Sequence, residues 1–214
     1  MIDIKHFSCN MLQENCYVIS DETKECIIID CGAYSSDERK AIVEYIRTNS
    51  LKPVRLISTH GHLDHNFGNN TISEEFGITP EVSVADAHLL DKAAKEAEAF
   101  YGVKLDYELP KAKATLQAND IIRYGNQKLV VLETPGHTLG SVTFYDKEND
   151  LIFSGDTLFK NTIGRSDLES GNMLQIIQSL RMLAQLPDKT KVLPGHGPLT
   201  TIGEELAHNP YMER

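Results

Sequence analysis

Short runs of apolar residues alternate with amphipathic stretches along the chain. The β-branched runs CYVIS (16–20) and CIIID (26–30) flank the turn-like segment DETKE, and together they predict a hairpin. Further apolar runs predict strands at 54–59, 120–124, 128–133, 141–145, 151–155 and 191–195. Because strand and helix signals alternate throughout, the pattern predicts an α/β fold.

Four stretches predict helices. Residues 35–49 begin with a Ser-x-x-Glu capping pattern at Ser35 and Glu38 and then place apolar residues at helical spacing. Helical patterns also cover about 86–100, 172–186 and 200–209. Since both halves of the chain combine strands with helices, we expect two sheets packed face to face with helices outside.

Length and charge restrict the class of protein. With 214 residues, 41% of them hydrophobic, we expect a single domain over residues 1–214. The net charge of −10 disfavours nucleic acid and anionic lipid as partners. No secretory signal or membrane span is apparent, which favours a cytoplasmic location. The four cysteines match no zinc ribbon or disulfide framework, so we expect free thiols.

Potential metal ligands follow four of the predicted strands. An isolated Gly-His or Gly-Asp is usually a turn, but three histidines within six residues are hard to explain by packing. Loops on one sheet scaffold tend to converge, so we expect these side chains to meet. Imidazoles and carboxylates without cysteine indicate a catalytic rather than a structural metal site. The candidate ligands are His60, His62, Asp64, His65, His137, Asp156 and His196.

Motifs in fixed order along the chain resemble the metallo-β-lactamase superfamily, in particular its glyoxalase II-like (hydroxyacylglutathione hydrolase-like) small hydrolases. The motifs are THGHLDHNFG, TPGHTLGSV, SGDTLFKNTIGRSD and LPGHGPLTTIGEE, with MLQENCYVI and IIIDCG near the start. The resemblance implies an αββα sandwich of two mixed sheets. It also implies two divalent metal ions, with zinc preferred over iron or manganese. It assigns His60, His62 and His137 to one ion. It assigns Asp64, His65 and His196 to the other, with Asp156 between them.

The resemblance implies hydrolysis of a small-molecule thioester by a hydroxide shared between two metals. Asp64 and Asp156 would be the catalytic carboxylates, and Lys160 and Arg165 would contact the substrate. For Arg165, a structural role as the partner of Asp167 is given the same weight as contact with the substrate. The sequence contains no G-x-S-x-G elbow and no phosphate-binding loop, so it offers no competing protein nucleophile.

Two departures from the classical enzyme leave the identity of the thiol part of the substrate undetermined. Asp167 stands where a tyrosine-type contact is expected, and the chain ends at residue 214, soon after His196, without the helical glutathione-binding extension. A persulfide dioxygenase-like oxidoreductase that uses iron is one alternative. A metal-bound, non-catalytic module is the second. Metal identity, the acyl group and the oligomeric state are not predicted.

Overall fold

The computed structural model describes residues 2–213, which form fourteen strands and five α-helices. The strands are β1 (Asp3–Cys9), β2 (Glu14–Ser20), β3 (Glu25–Ile29), β4 (Lys52–Ile57), β5 (Pro80–Ser83), β6 (Lys113–Leu116), β7 (Ile121–Tyr124), β8 (Gln127–Glu133), β9 (Val142–Asp146), β10 (Leu151–Gly155), β11 (Leu158–Phe159), β12 (Thr162–Ile163), β13 (Lys191–Pro194) and β14 (Thr200–Thr201). The helices are α1 (Ser36–Thr48), α2 (Asn69–Phe76), α3 (Ala87–Tyr101), α4 (Met173–Leu183) and α5 (Ile202–His208).

The strands form two six-stranded mixed sheets. The first sheet has the order β1-β2-β3-β4-β5-β6, in which β3 to β6 are parallel and β1 and β2 are antiparallel to their neighbours. The second has the order β14-β13-β10-β9-β8-β7, and only its β10–β13 pair is parallel. Strands β11 and β12 form a separate ribbon. The expected mixed sheets are confirmed.

Alternation along the strands divides the apolar residues between three layers. Ile27 and Ile29 of β3 point into the core between the sheets, where they join Phe144 and Phe153 of the second sheet. Outside the first sheet, Ile28 of β3 belongs to a cluster with residues of α1 and α2. Outside the second sheet, residues of β10 and β13 pack with α4 and α5. The chain therefore folds as the expected αββα sandwich.

Helix boundaries differ in detail from the sequence pattern. The capping box of α1 is confirmed, because the Ser35 hydroxyl accepts from the Glu38 amide and the Glu38 carboxylate accepts from the Ser35 amide. The helix expected at 172–186 ends at Leu183, since the chain turns before Pro187. The segment expected as a helix over 200–209 begins as the short strand β14 and turns helical only at Ile202.

All four cysteines are unpaired and buried on the outer face of the first sheet. Burial raises the pKa of Cys26 to about 12. Hydrogen bonds with Cys31 and Cys9, together with burial, raise the pKa of Cys16 well above its usual value. The expected free thiols are confirmed, and they lie inside the packed layer. Within residues 2–213, no helix combines the length and apolar character needed to cross a membrane.

Candidate metal centre

The candidate ligands sit on loops at one end of the sandwich. His60 and His62 follow β4, His60 in a bend and His62 in extended backbone, and a 3-10 turn at Leu63–His65 carries the next two candidate ligands. His137 lies between β8 and β9, Asp156 directly follows β10, and His196 follows β13. Both sheets therefore contribute to one site.

Close backbone packing brings Asp156 into place. Gly155 has φ +49°, and a Cβ there would lie 2.3 Å from the Thr59 hydroxyl. A Cβ on Gly195 would lie 2.3 Å from Asp156 Oδ1 and 2.7 Å from His65 Cε1. Glycine at both positions lets the loops after β10 and β13 approach the histidine loop.

Three imidazole nitrogens form the first cluster. His62 Nδ1 lies 3.1 Å from His60 Nε2 and 2.9 Å from His137 Nε2. Two nitrogens that share one ion at about 2.0–2.1 Å, with about 90–109° between them, stand roughly 2.8–3.4 Å apart. The three rings are therefore spaced as ligands of a single ion.

Two histidines and an aspartate form the second cluster. His196 Nε2 lies 3.2 Å from His65 Nε2 and 3.4 Å from Asp64 Oδ2. The Asp64 Oδ2 atom is also 3.7 Å from His65 Nε2. This cluster has the mixed nitrogen and oxygen donors that zinc, iron and manganese accept.

Asp156 lies between the two clusters. Its Oδ1 atom is 3.3 Å from His65 Nε2, and its Oδ2 atom is 3.5 Å from His137 Nε2 and 3.6 Å from His196 Nε2. Oδ1 is buried and receives no hydrogen bond from the described residues. A buried carboxylate oxygen without a partner is unfavourable unless a cation satisfies it. The residues present therefore fit a pair of metal ions.

Protonation states support the same interpretation for the first cluster and Asp156, whereas at His65 and His196 the effect of burial is outweighed by neighbouring carboxylates, which raise the pKa of both rings. Burial, reinforced by neighbouring histidines, lowers the pKa of His60 well below its usual value and that of His62 to about 4. Burial alone would raise the pKa of Asp156, but His65 and other histidines hold it well below the usual range. Neutral imidazoles and an ionised carboxylate are the forms that bind metal.

Hydrogen bonds on the far side of four rings fix their orientation and tautomer. In each case Nδ1 donates, so the Nε2 lone pair is directed at the cluster. The four bonds run from His60 to Thr59 Oγ1 (3.1 Å), from His65 to Asp30 Oδ2 (3.1 Å), from His137 to the Arg165 carbonyl (2.7 Å) and from His196 to the Leu12 carbonyl (3.1 Å).

Two supporting residues have no signal in the sequence. Buried Asp86 accepts hydrogen bonds from Gly61 N (2.9 Å), Gly140 N (2.7 Å) and Thr138 Oγ1 (2.6 Å), and so connects the loops that carry the first cluster. Tyr101, at the end of α3, donates to Asp64 Oδ1 at 3.0 Å. A lone Asp before a helix predicts only a cap, and a lone Tyr predicts only packing.

A cavity of about 450 Å³ opens above the clusters. Arg165 lines it, while its guanidinium also forms two hydrogen bonds with Asp167, at 2.8 and 2.9 Å. Arg165 therefore has the feature that each of its two candidate roles requires: it lines the cavity and it pairs with Asp167. Lys160 is exposed at the turn between β11 and β12 and is not among the residues that line the cavity.

Comparison with known proteins places these features in a family. The family model described as the Metallo-beta-lactamase superfamily matches residues 9–196, a range that contains all seven candidate ligands. The chain is 32% identical to hydroxyacylglutathione hydrolase GloC of Haemophilus influenzae over 213 residues, covering 99% of this chain and 98% of that relative.

Two solved structures extend the likeness to the fold. The BLEG-1 B3 metallo-beta-lactamase matches with a TM-score of 0.88 and 32% identity, covering 99% of both chains. TTHA1623 in a di-iron-bound form matches with a TM-score of 0.82 and 31% identity, covering 97% of this chain and all of the other. The sequence and fold together show that the chain belongs to the metallo-β-lactamase superfamily.

Proposed function

We propose that the protein is a hydrolase that depends on two metal ions and cleaves a thioester to an acid and a thiol, as glyoxalase II-like enzymes do. The position of Asp156 carries this proposal, because one carboxylate faces two donor clusters at the base of a cavity. The relative GloC, named a hydroxyacylglutathione hydrolase, supports the choice of a thioester.

His60, His62 and His137 would hold one ion, and Asp64, His65 and His196 would hold the other, with Asp156 reaching both. Two divalent ions held there would lower the pKa of a bound water towards neutrality and so supply hydroxide. The lining of the cavity, over the described residues, contains no Ser, Thr or Cys that could act instead. Water is therefore the nucleophile that this lining supports.

The surrounding residues hold this site in one arrangement. The Nδ1 bonds of His65, His137 and His196 keep their rings from turning. Tyr101 fixes one oxygen of Asp64 and leaves Oδ2 facing His196. Such prior ordering reduces the reorganisation needed when charge develops on the substrate carbonyl.

Zinc suits the nitrogen and oxygen donors, and we propose it as the metal. The di-iron form of TTHA1623 supports iron as the alternative metal. The likeness to ETHE1 from Myxococcus xanthus, at 27% identity and a TM-score of 0.77, supports an iron-dependent oxidoreductase of the persulfide dioxygenase type as the second candidate function. The two candidates differ in their use of oxygen.

A substrate panel distinguishes them. Purified protein, with its metals quantified by elemental analysis, is assayed under air against thioesters, a phosphodiester, a β-lactam and a persulfide. We expect thiol release from a thioester without oxygen consumption. Oxygen uptake that depends on persulfide would replace the hydrolase with the second candidate, and cleavage of the β-lactam alone would assign a different hydrolase.

A further inference from the structure

The cavity above the metal centre has mainly apolar walls. Its floor consists of His62, Asp64, His137, Asp156 and His196. Its walls come from the β1–β2 loop, the 3-10 turn at Leu63–His65, α3, β11, and the loop that follows β12. The apolar side chains that these segments contribute are Leu12, Leu63, Leu89, Phe100, Tyr101, Phe159 and Leu168.

The charged side chains of the wall already have partners. Arg165 forms its two hydrogen bonds with Asp167, and Glu169 forms a 2.6 Å ion pair with Lys92. Arg165 is the one Lys or Arg among the described residues that line the cavity. A thiol such as glutathione, with two carboxylates and an ammonium group, would have to compete with these intramolecular pairs.

Two large apolar side chains at the mouth are unusually exposed. Phe100 is 67% exposed and Leu12 is 48% exposed, although both line the cavity. When an apolar ligand covers exposed apolar groups beside a binding site, the free energy of the complex falls. Each methylene transferred from water to such a wall changes an affinity by about fourfold.

We propose that this cavity selects thioesters whose acyl group is an uncharged apolar chain, and that it disfavours charged thiols such as glutathione. The hydrolytic part of this inference rests on the proposed function, whereas the selection of apolar chains is a property of the cavity and can be measured by binding alone. The specificity would come from Leu12, Phe100 and their apolar neighbours, and the metal clusters would act on whichever ester they admit.

The first test is a matrix of esters. Acetyl, butyryl, hexanoyl and octanoyl groups are each joined to glutathione and to the uncharged thiol N-acetylcysteamine, and kcat/KM is measured for all eight esters. We expect kcat/KM to rise by about fourfold per methylene until the cavity is filled, and to be higher for N-acetylcysteamine than for glutathione. A flat series, or a consistent preference for glutathione esters, would overturn the proposal.

Variants locate the effect. Phe100→Ser and Leu12→Ser should each reduce the ratio of octanoyl to acetyl kcat/KM by about tenfold, because they replace apolar wall with a polar group. Leu174→Ser is the matched control, since Leu174 is 76% exposed and lies outside the cavity lining. The same ratio in all three variants and the parent protein would place chain selection elsewhere and contradict the assignment.

Binding separates this inference from the proposed function. Calorimetric titration of the metal-containing protein with acetate, butyrate, hexanoate and octanoate reports on the cavity without any hydrolysis. We expect Kd to fall along the series and Phe100→Ser to weaken octanoate most. If no thioester is hydrolysed but Kd falls in this way, the proposed function fails and the apolar cavity stands. If Kd stays constant, the inference fails even for an active thioesterase.

Discussion

Asp156 lies between the two donor clusters, and under the proposed function its carboxylate would reach both ions. In Asp156→Asn one carboxylate oxygen becomes an amide NH2 group, which cannot ligate a cation, and the side chain loses the negative charge that would offset two dications. We expect fewer than two metal ions per chain and a fall in kcat on the order of 10²-fold or more, with the fold retained. Elemental analysis and kinetics on the same preparation measure both quantities.

Asp146→Asn serves as the control, because Asp146 is also buried but accepts hydrogen bonds only in the turn after β9. It should keep two ions. An Asp156→Asn protein with two ions and near-normal kcat would remove Asp156 from the site.

Tyr101 offers a second test at a single residue. Tyr101→Phe removes the hydroxyl that donates to Asp64 Oδ1 and leaves the ring in place. Loss of a supporting hydrogen bond of this kind typically lowers metal affinity by about 10–100-fold. We therefore expect the metal affinity of the second cluster to decrease by about that factor. Competition with a coloured chelator measures it.

Tyr107→Phe is the matched variant, since the Tyr107 hydroxyl donates to the Phe67 carbonyl, away from the candidate ligands. Equal metal affinities in the two variants would show that Tyr101 does not position Asp64.

The clustering of the candidate ligands could be predicted from sequence because each lies in a short motif directly after an apolar run. Asp86, Tyr101 and Asp30 could not be assigned their contacts in the same way. Their partners lie far away along the chain: Gly140 for Asp86, Asp64 for Tyr101 and His65 for Asp30. Only the packing of loops in three dimensions brings these pairs together.

Among whole elements, the sequence pattern predicts the strands that carry continuous apolar runs, and it does not predict several short or polar elements. β1 is an edge strand with four exposed residues, and β5 begins at Pro80, so neither shows a continuous apolar run. Three of the four residues of β6 are exposed. α2 buries Asn69 and Asn70, which obscures its amphipathic pattern. Hydrophobic periodicity detects runs of buried apolar residues, and these elements are short, polar or partly exposed.

The start of α3 joins two ligand loops through Asp86. In Asp86→Ala the amides of Gly61 and Gly140 lose their acceptor, and the hydroxyl of Thr138 loses its hydrogen bond to the carboxylate. We expect the free energy of unfolding of the metal-free protein to fall by about 3 kcal/mol or more, because several charge-assisted hydrogen bonds are lost together. Urea titration followed by circular dichroism measures the change.

Asp86→Asn should recover part of the loss, because its amide oxygen still accepts. A metal-free Asp86→Ala protein as stable as the parent would mean that these hydrogen bonds do not join the loops energetically.

Over the whole molecule, the ligand loops come from both sheets, and one core lies between those sheets. We therefore propose that the chain behaves as a single domain whose metals stabilise it as a unit. Each ion present at about 1,000 times its Kd adds about 4 kcal/mol to stability. For a chain of this size that corresponds to a rise in Tm of roughly 8–16 °C.

Calorimetry before and after chelation, with zinc added back, measures this shift. Asp156→Asn should show a smaller shift than the parent protein, since it binds fewer ions. Loss of both metals without a change in Tm would contradict the coupling of the site to the fold.

The four buried thiols can report on opening of the outer face of the first sheet. Cys9, Cys16, Cys26 and Cys31 are each at most 1% exposed, and raised pKa values suppress the reactive thiolate of Cys16 and Cys26. Alkylating reagents should therefore modify these cysteines only when the outer face of the first sheet opens. Pulsed alkylation read by mass spectrometry would time that opening in unmodified protein, and a cysteine introduced on the surface would accept a dye selectively.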